Sequence, residues 1–170
     1  SADNSYAFRM MKLFKKSGIN FISCPTENVY LEGRQDTYPK RRGITRVKEL
    51  HDNGINVCFA QDSMSDPWYP LGNGNMMMIL DHGIHLAQMM SPEEITNDLD
   101  LVTTNGAVTM NIMDHYGIEE EKPANFIVLD AKSEFEAICE RAGITASVRH
   151  GEFLFKKIPA KVTGAIDLLK

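Results

Sequence analysis

Two short apolar segments constrain this chain more than anything else in it. INFIS (Ile19–Ser23) and INVCFA (Ile55–Ala60) each follow a stretch of helical pattern, and each runs into a long polar one. Apolar runs of this length, rich in β-branched and aromatic residues, read as buried strands. Their character is continuous, not alternating, which is the pattern of strands covered on both faces. Strand, helix, strand alternation implies parallel pairing through crossover helices. In such folds the loops at the C-terminal ends of the strands build the functional site.

The remaining pattern fills in around these strands. Ser5 or Asn4 can cap a helix through YAFRMMKLFKK, which Gly18 stops. Cys24–Gly43 reads as one polar loop, longer than the ~12–15 residues at which a structureless connection is usually functional. ITRVKELHDN reads as a helix closed by Gly54, and NMMMILDHGIHLAQMM as a third helix. Ser91 and Glu94 have capping-box spacing and open a helix at SPEEITNDLDLV; NGAVTMNIMDHYG reads as one more. The character changes after Gly117. EEEKP reads as a connector, NFIVLD as a strand, SEFEAICERAG as a helix, and TASVRHGEFLFKK as a hairpin turning at His150-Gly151. These features place a domain boundary near residue 116, dividing the chain into 1–116 and 117–170.

The second strand ends on Gln61-Asp62, and Asp62 is the first candidate for chemistry. A carboxylate at the end of a buried strand would be poorly hydrated and would need a strong partner to stay ionised. A divalent cation is one such partner, and the carboxylate could then also act as a general base. A turn-forming Asp, or one paired with an Arg, is the alternative. In Asp66-Pro67-Trp68-Tyr69-Pro70 the two prolines restrict the backbone, so Trp68 could cover a flat aromatic ligand. The alternative for Trp68 is an anchor that ties the loop to the core. His82 and His85 lie three apart on a helix, a spacing compatible with metal but without a third ligand; solvated helix histidines are the plainer reading. Arg34, Lys40, Arg41 and Arg42 make a basic loop, either a solvated face or a phosphate contact. The Met76–Met78 run reads as helix packing.

Composition excludes more than it selects. The net charge is −5 and the pI about 5.5, so no basic face for nucleic acid or anionic lipid is expected. No apolar run approaches the ~18 residues of a membrane span. Cys24, Cys58 and Cys139 are odd in number and widely spaced, which fits reduced thiols and a cytoplasmic setting. The nucleophile-elbow, phosphate-loop and dinucleotide motifs are absent. So is the PCxxC of the small zinc nucleobase deaminases.

Against this background the block from Ser17 to Met77 resembles the C-terminal part of bacterial cytosine deaminase, of the amidohydrolase superfamily. LEGRQDTYPKRRGITRVKEL and DPWYPLG carry the resemblance most specifically, and it extends from about Ser5 to about Lys157. It implies the end of a (β/α)8 metal-dependent hydrolase barrel, about its last two strand–helix units, followed by part of a small β-sandwich. INFIS would be strand seven and INVCFA strand eight. Asp62 would ligate one divalent metal, iron or zinc, and shuttle the proton. Trp68 would line the pocket of a pyrimidine nucleobase substrate. Ser63 stands where a second polar or acidic residue is usual, which keeps another aminopyrimidine or an aminotriazine open as substrate. The family's HxH pair, HxxE segment and further His would lie before Ser1. The chain is therefore expected to need the missing N-terminal barrel half, or to persist as a self-associating homo-oligomer without catalysis.

Overall fold

The computed structural model describes residues 2–158. Helix α1 (Asn4–Ser17) leads into strand β1 (Phe21–Ser23). Its cap is Asp3, not Ser5 or Asn4: the Asp3 carboxylate accepts from the N–H groups of Ser5 (2.9 Å) and Tyr6 (3.2 Å). Gly18 ends the helix in the left-handed region at φ 70°, as its position in the sequence suggested. Strand β2 (Val57–Phe59) pairs parallel with β1 in the register Phe21–Val57, Ile22–Cys58, Ser23–Phe59. The parallel alternation read from the sequence is therefore present.

The segment between the two strands is not one loop. Its start forms helix α2 (Pro25–Leu31), with Pro25 in the first turn where its missing N–H costs nothing. A helix of about two turns, mixed in polar and apolar residues, shows too little periodicity to be read in advance. Helix α3 (Val47–Asp52) then packs Val47 and Leu50 inward and returns the chain to β2 through Gly54 at φ 68°. The two strands also differ in cover. All three β2 residues are buried, whereas Ile22 at the centre of β1 is 56% exposed. Burial on both faces, expected for both strands, holds only for β2, because no element among the described residues covers the Ile22 face of β1.

Helix α4 (Met76–Ala87) is capped by the Asn75 side chain and lies directly on β2. At Gly83 a Cβ would stand 2.5 Å from the Phe59 ring, so the close approach requires glycine. The core runs from Met11 of α1 through Val57 and Phe59 to Ile79, Leu80, Ile84, Met89 and Leu101. The expected helix SPEEITNDLDLV breaks into α5 (Pro92–Ile95) and a 3-10 turn at Asp98–Val102. The Thr96 hydroxyl and the Asn97 amide donate to backbone carbonyls four residues back, competing with helix continuation. Likewise NGAVTMNIMDHYG forms only α6 (Thr104–Thr109) and a short 3-10 turn, separated by Asn111 at φ 56°. Asn105 of α6 donates to Val57 O (2.9 Å), and Asn56 donates to Thr109 Oγ1 (2.9 Å), which fastens α6 along β2.

The later elements are a three-stranded antiparallel sheet and one helix. Strand β3 (Phe126–Leu129) pairs with β4 (Ile144–Arg149), which pairs with β5 (Glu152–Lys156). His150 (φ 51°) and Gly151 (φ 81°) make the two-residue hairpin turn with both central residues left-handed, as their identity suggested. Between β3 and β4, helix α7 (Glu134–Cys139) contributes Ile138 to the main core. The expected second domain, 117–170, extends past Ile158 and so lies partly outside the described residues.

Candidate active site

The ladder between β1 and β2 continues one step past the strands, where Ala60 N–H donates to Ser23 O (2.9 Å). Cys24-Pro25 and Gln61-Asp62-Ser63 therefore leave the sheet side by side at its C-terminal end. Asp62 adopts φ 64°, a conformation that Asp tolerates better than most residues, and this turns it out of line with its neighbours. Gln61 and Ser63 are buried while Asp62 between them is exposed. The expectation of a poorly hydrated carboxylate thus needs correction for this chain. Among the described residues Asp62 has neither an ion-pair nor a hydrogen-bond partner, and nothing covers it on the open side of the two-stranded sheet. The reading of Asp62 as one half of an Arg pair is removed by the same observation.

The following loop is held by its own polar groups. Asp66 Oδ1 accepts from the N–H groups of Trp68 (2.9 Å) and Tyr69 (3.1 Å). Ser65 Oγ donates to Gly72 O (2.9 Å), and a Cβ at Gly72 would overlap the Ser63 carbonyl oxygen. Trp68 is 65% exposed at the surface of this loop, so it does not anchor the loop in the core. Tyr69 instead packs edge-on against Tyr30 of α2, ring centres 5.8 Å apart. Asp62 and Trp68 therefore lie on one ordered loop, both presented outward.

Three further groups surround this end of the sheet and were not singled out from sequence. Glu27 of α2 is buried with Oε2 lacking a partner, and Gln61 is buried with both amide atoms unpartnered. Cys24 lies close enough to sense both carboxylates: burial first, then Asp62, Glu27 and Cys58, push its thiol up to about 11. Burial and the neighbouring carboxylates thus favour the neutral thiol of Cys24. A buried carboxylate and a buried amide without partners are exceptions to the rule that buried polar groups are hydrogen-bonded, and here both lie beside Asp62 at the end of the sheet. The sequence signal for Glu27 was slight, a Pro-Thr-Glu start to a helix too short to recognise.

The histidines stand elsewhere. His82 and His85 of α4 each direct Nδ1 to a backbone carbonyl one turn back, at 2.8 and 2.7 Å. No group of three or more His, Cys, Asp or Glu among the described residues could hold a metal ion. No helix among them is long and apolar enough to cross a membrane.

Comparison with known proteins bears on the chain as a whole. A profile of the amidohydrolase family matches residues 1–155. The structure superimposes on 5-methylcytosine deaminase from Klebsiella pneumoniae, solved with 5-fluorocytosine, with a TM-score of 0.92 and 48% identity over 96% of this chain and 40% of that one. N-isopropylammelide isopropyl amidohydrolase from a Pseudomonas species is 26% identical over 91% of this chain and 35% of its own length. Pterin deaminase from Rhizobium rhizogenes is 24% identical over 92% of this chain and 36% of its own length. The chain thus spans little more than a third of the curated relatives it matches. A partial barrel followed by a small sheet unit, as expected from the resemblance, agrees with this coverage.

Proposed function

The chain belongs to the amidohydrolase family, and from that premise we propose that it is the portion of a cytosine deaminase-like aminohydrolase that supplies the strand-eight aspartate, Asp62. The observation that carries this reading is the placement of Asp62: an exposed, unpartnered carboxylate at the C-terminal end of a parallel strand, followed by an ordered loop presenting Trp68. The 48% identity to a 5-methylcytosine deaminase favours cytosine or 5-methylcytosine as substrate. The lower identities to enzymes named for ammelide and pterin make an aminotriazine or another amino-substituted ring the second choice.

Hydrolytic deamination replaces an exocyclic amino group by oxygen. Water loses a proton and its oxygen bonds to the ring carbon. The amino nitrogen gains a proton, the carbon–nitrogen bond breaks, and ammonia leaves. Asp62 is suited to take the first proton and return it to the nitrogen, since one solvated carboxylate can serve both steps. Trp68 would cover the ring and keep bulk water from the reacting carbon. Amidohydrolases generally use a divalent metal, iron or zinc on the resemblance. The described residues do not fit such an ion by themselves, because Asp62 is one donor and no set of three exists. The other ligands would come from outside residues 2–158.

The test is Asp62→Asn in the full-length protein, with cytosine and 5-methylcytosine as substrates. Asn keeps the left-handed backbone and the shape. Ammonia release should fall by roughly 10²–10⁴ with little change in melting temperature. Full activity in the variant would remove Asp62 from the chemistry.

A further inference from the structure

An open cavity of about 680 Å³ lies between α2, the loop after it, α4 and the turn after α7. Asp62 and Trp68 are not part of its lining. From it we infer that the protein carries a second binding site, for a phosphate-bearing ligand with a flat ring, of the nucleoside monophosphate class. Arg34, Lys40, Arg42 and Arg141 line it, as do His82 and His85, so cationic or protonatable groups arrive from three separate parts of the chain. Two carboxylates, Glu32 and Asp81, face them. The cavity is therefore net positive in a chain whose formal charge is −5.

These groups differ in what they are already doing. Arg141 neutralises Asp81 at 3.2 and 3.3 Å. Arg41, outside the cavity, is consumed by Asp36 at 2.7 and 2.9 Å. Arg34 and Arg42 have no carboxylate at ion-pair distance among the described residues. Arg34 is held over the Tyr30 ring at 4.9 Å, and Lys40 is drawn to it by donating to Arg34 O (2.9 Å). Guanidinium groups fixed this way recognise phosphate oxygens through paired N–H donors. Because a carbonyl can only accept, each neutral histidine carries its proton on Nδ1, leaving Nε2 for a ligand group. Thr26 also lines the cavity and is buried with Oγ1 unpartnered. The edge-on Tyr30–Tyr69 pair supplies an aromatic wall for a planar ring. The volume falls within the range of small-molecule sites.

The inference does not rest on the deamination reading. Its test is calorimetric titration of the full-length protein with cytidine 5′-monophosphate, with cytidine and inorganic phosphate as companions. Saturable binding of the monophosphate is expected, with competition by inorganic phosphate and weaker binding of cytidine. Arg42→Ala, at an exposed residue with no partner to lose, should weaken binding about tenfold or more. Asp62→Asn should leave it unchanged. Absence of saturable binding would overturn the inference, as would equal binding by Arg42→Ala. Loss of binding in Asp62→Asn would overturn it too, by placing the ligand in the substrate site and not here. Competition by phosphate in the wild type keeps the test decisive should the Arg42 variant fold poorly.

Discussion

Asp98 is buried with Oδ2 unpartnered, and burial, reinforced by nearby Glu94, pushes its carboxyl up to about 7. A carboxyl whose folded value lies above its ordinary one favours the folded state only while protonated. Stability contributed at Asp98 is therefore present below about pH 4 and is lost as the pH rises towards 7. Asp98→Asn should leave acid stability nearly unchanged and raise stability at pH 8 by roughly 2–4 kcal/mol. Urea unfolding of both proteins at pH 4 and pH 8 would show it; equal pH dependence would refute the burial argument. Glu94 behaves in the opposite sense. Lys48, then Ser91, hold its carboxyl down to about 2, so its contribution is complete above about 4.5 and disappears as the pH falls towards 2. The two neighbours thus oppose each other across the acid range, and neither behaviour was visible in SPEEITNDLDLV, where only the capping spacing could be read.

The decisive element is α4, because it sets the depth of the core over β2. Helix propensity alone favours alanine over glycine in a helix interior by about 1 kcal/mol. At Gly83 the added methyl would meet the Phe59 ring at 2.5 Å. Gly83→Ala should therefore destabilise the protein by about 1–3 kcal/mol despite its better propensity. Chemical denaturation would measure this, and a stabilised variant would mean that α4 can move away from β2. The loop after β2 is organised more locally. Removing the Asp66 carboxylate by Asp66→Ala frees the N–H groups of Trp68 and Tyr69. On the proposed deaminase reading the expected result is a higher KM for the pyrimidine with kcat less affected, since Trp68 would lose its fixed position. Equal loss in both constants would argue that the loop does more than hold the ring.

At the scale of the whole molecule, a two-stranded parallel sheet cannot close on itself, and its open edge invites pairing. Apolar surface is exposed near both sheets: Tyr6, Phe8 and Leu13 on α1, Ile22 on β1, and Phe153, Leu154 and Phe155 on β5. A barrel needs roughly 250 residues, and β1 and β2 would supply only two of its strands. Residues 1–170 expressed alone should therefore self-associate with rising concentration in light scattering and release no ammonia from cytosine. Supplying a polypeptide with the remaining barrel strands should restore both a defined mass and activity. A monodisperse, active 170-residue monomer would contradict this and would require a complete site within the chain.

Some of this was settled by amino-acid order alone. The Ser91–Glu94 capping box, the Gly18 stop and the His150-Gly151 turn depend on interactions a few residues apart, so the sequence specifies them directly; the parallel pairing of β1 with β2 joins residues far apart and was legible only through the order of apolar and helical segments. Helix α2 and the breaks after α5 and α6 escaped because segments this short have no period to read. Tertiary structure alone decided that Asp62 faces solvent, that Glu27, Gln61 and Asp98 are buried, and that Ile22 is left uncovered. It alone gathered Arg34, Arg42, His82 and Arg141 around one cavity. Burial and charge environment depend on which distant elements pack together, and no local pattern encodes that.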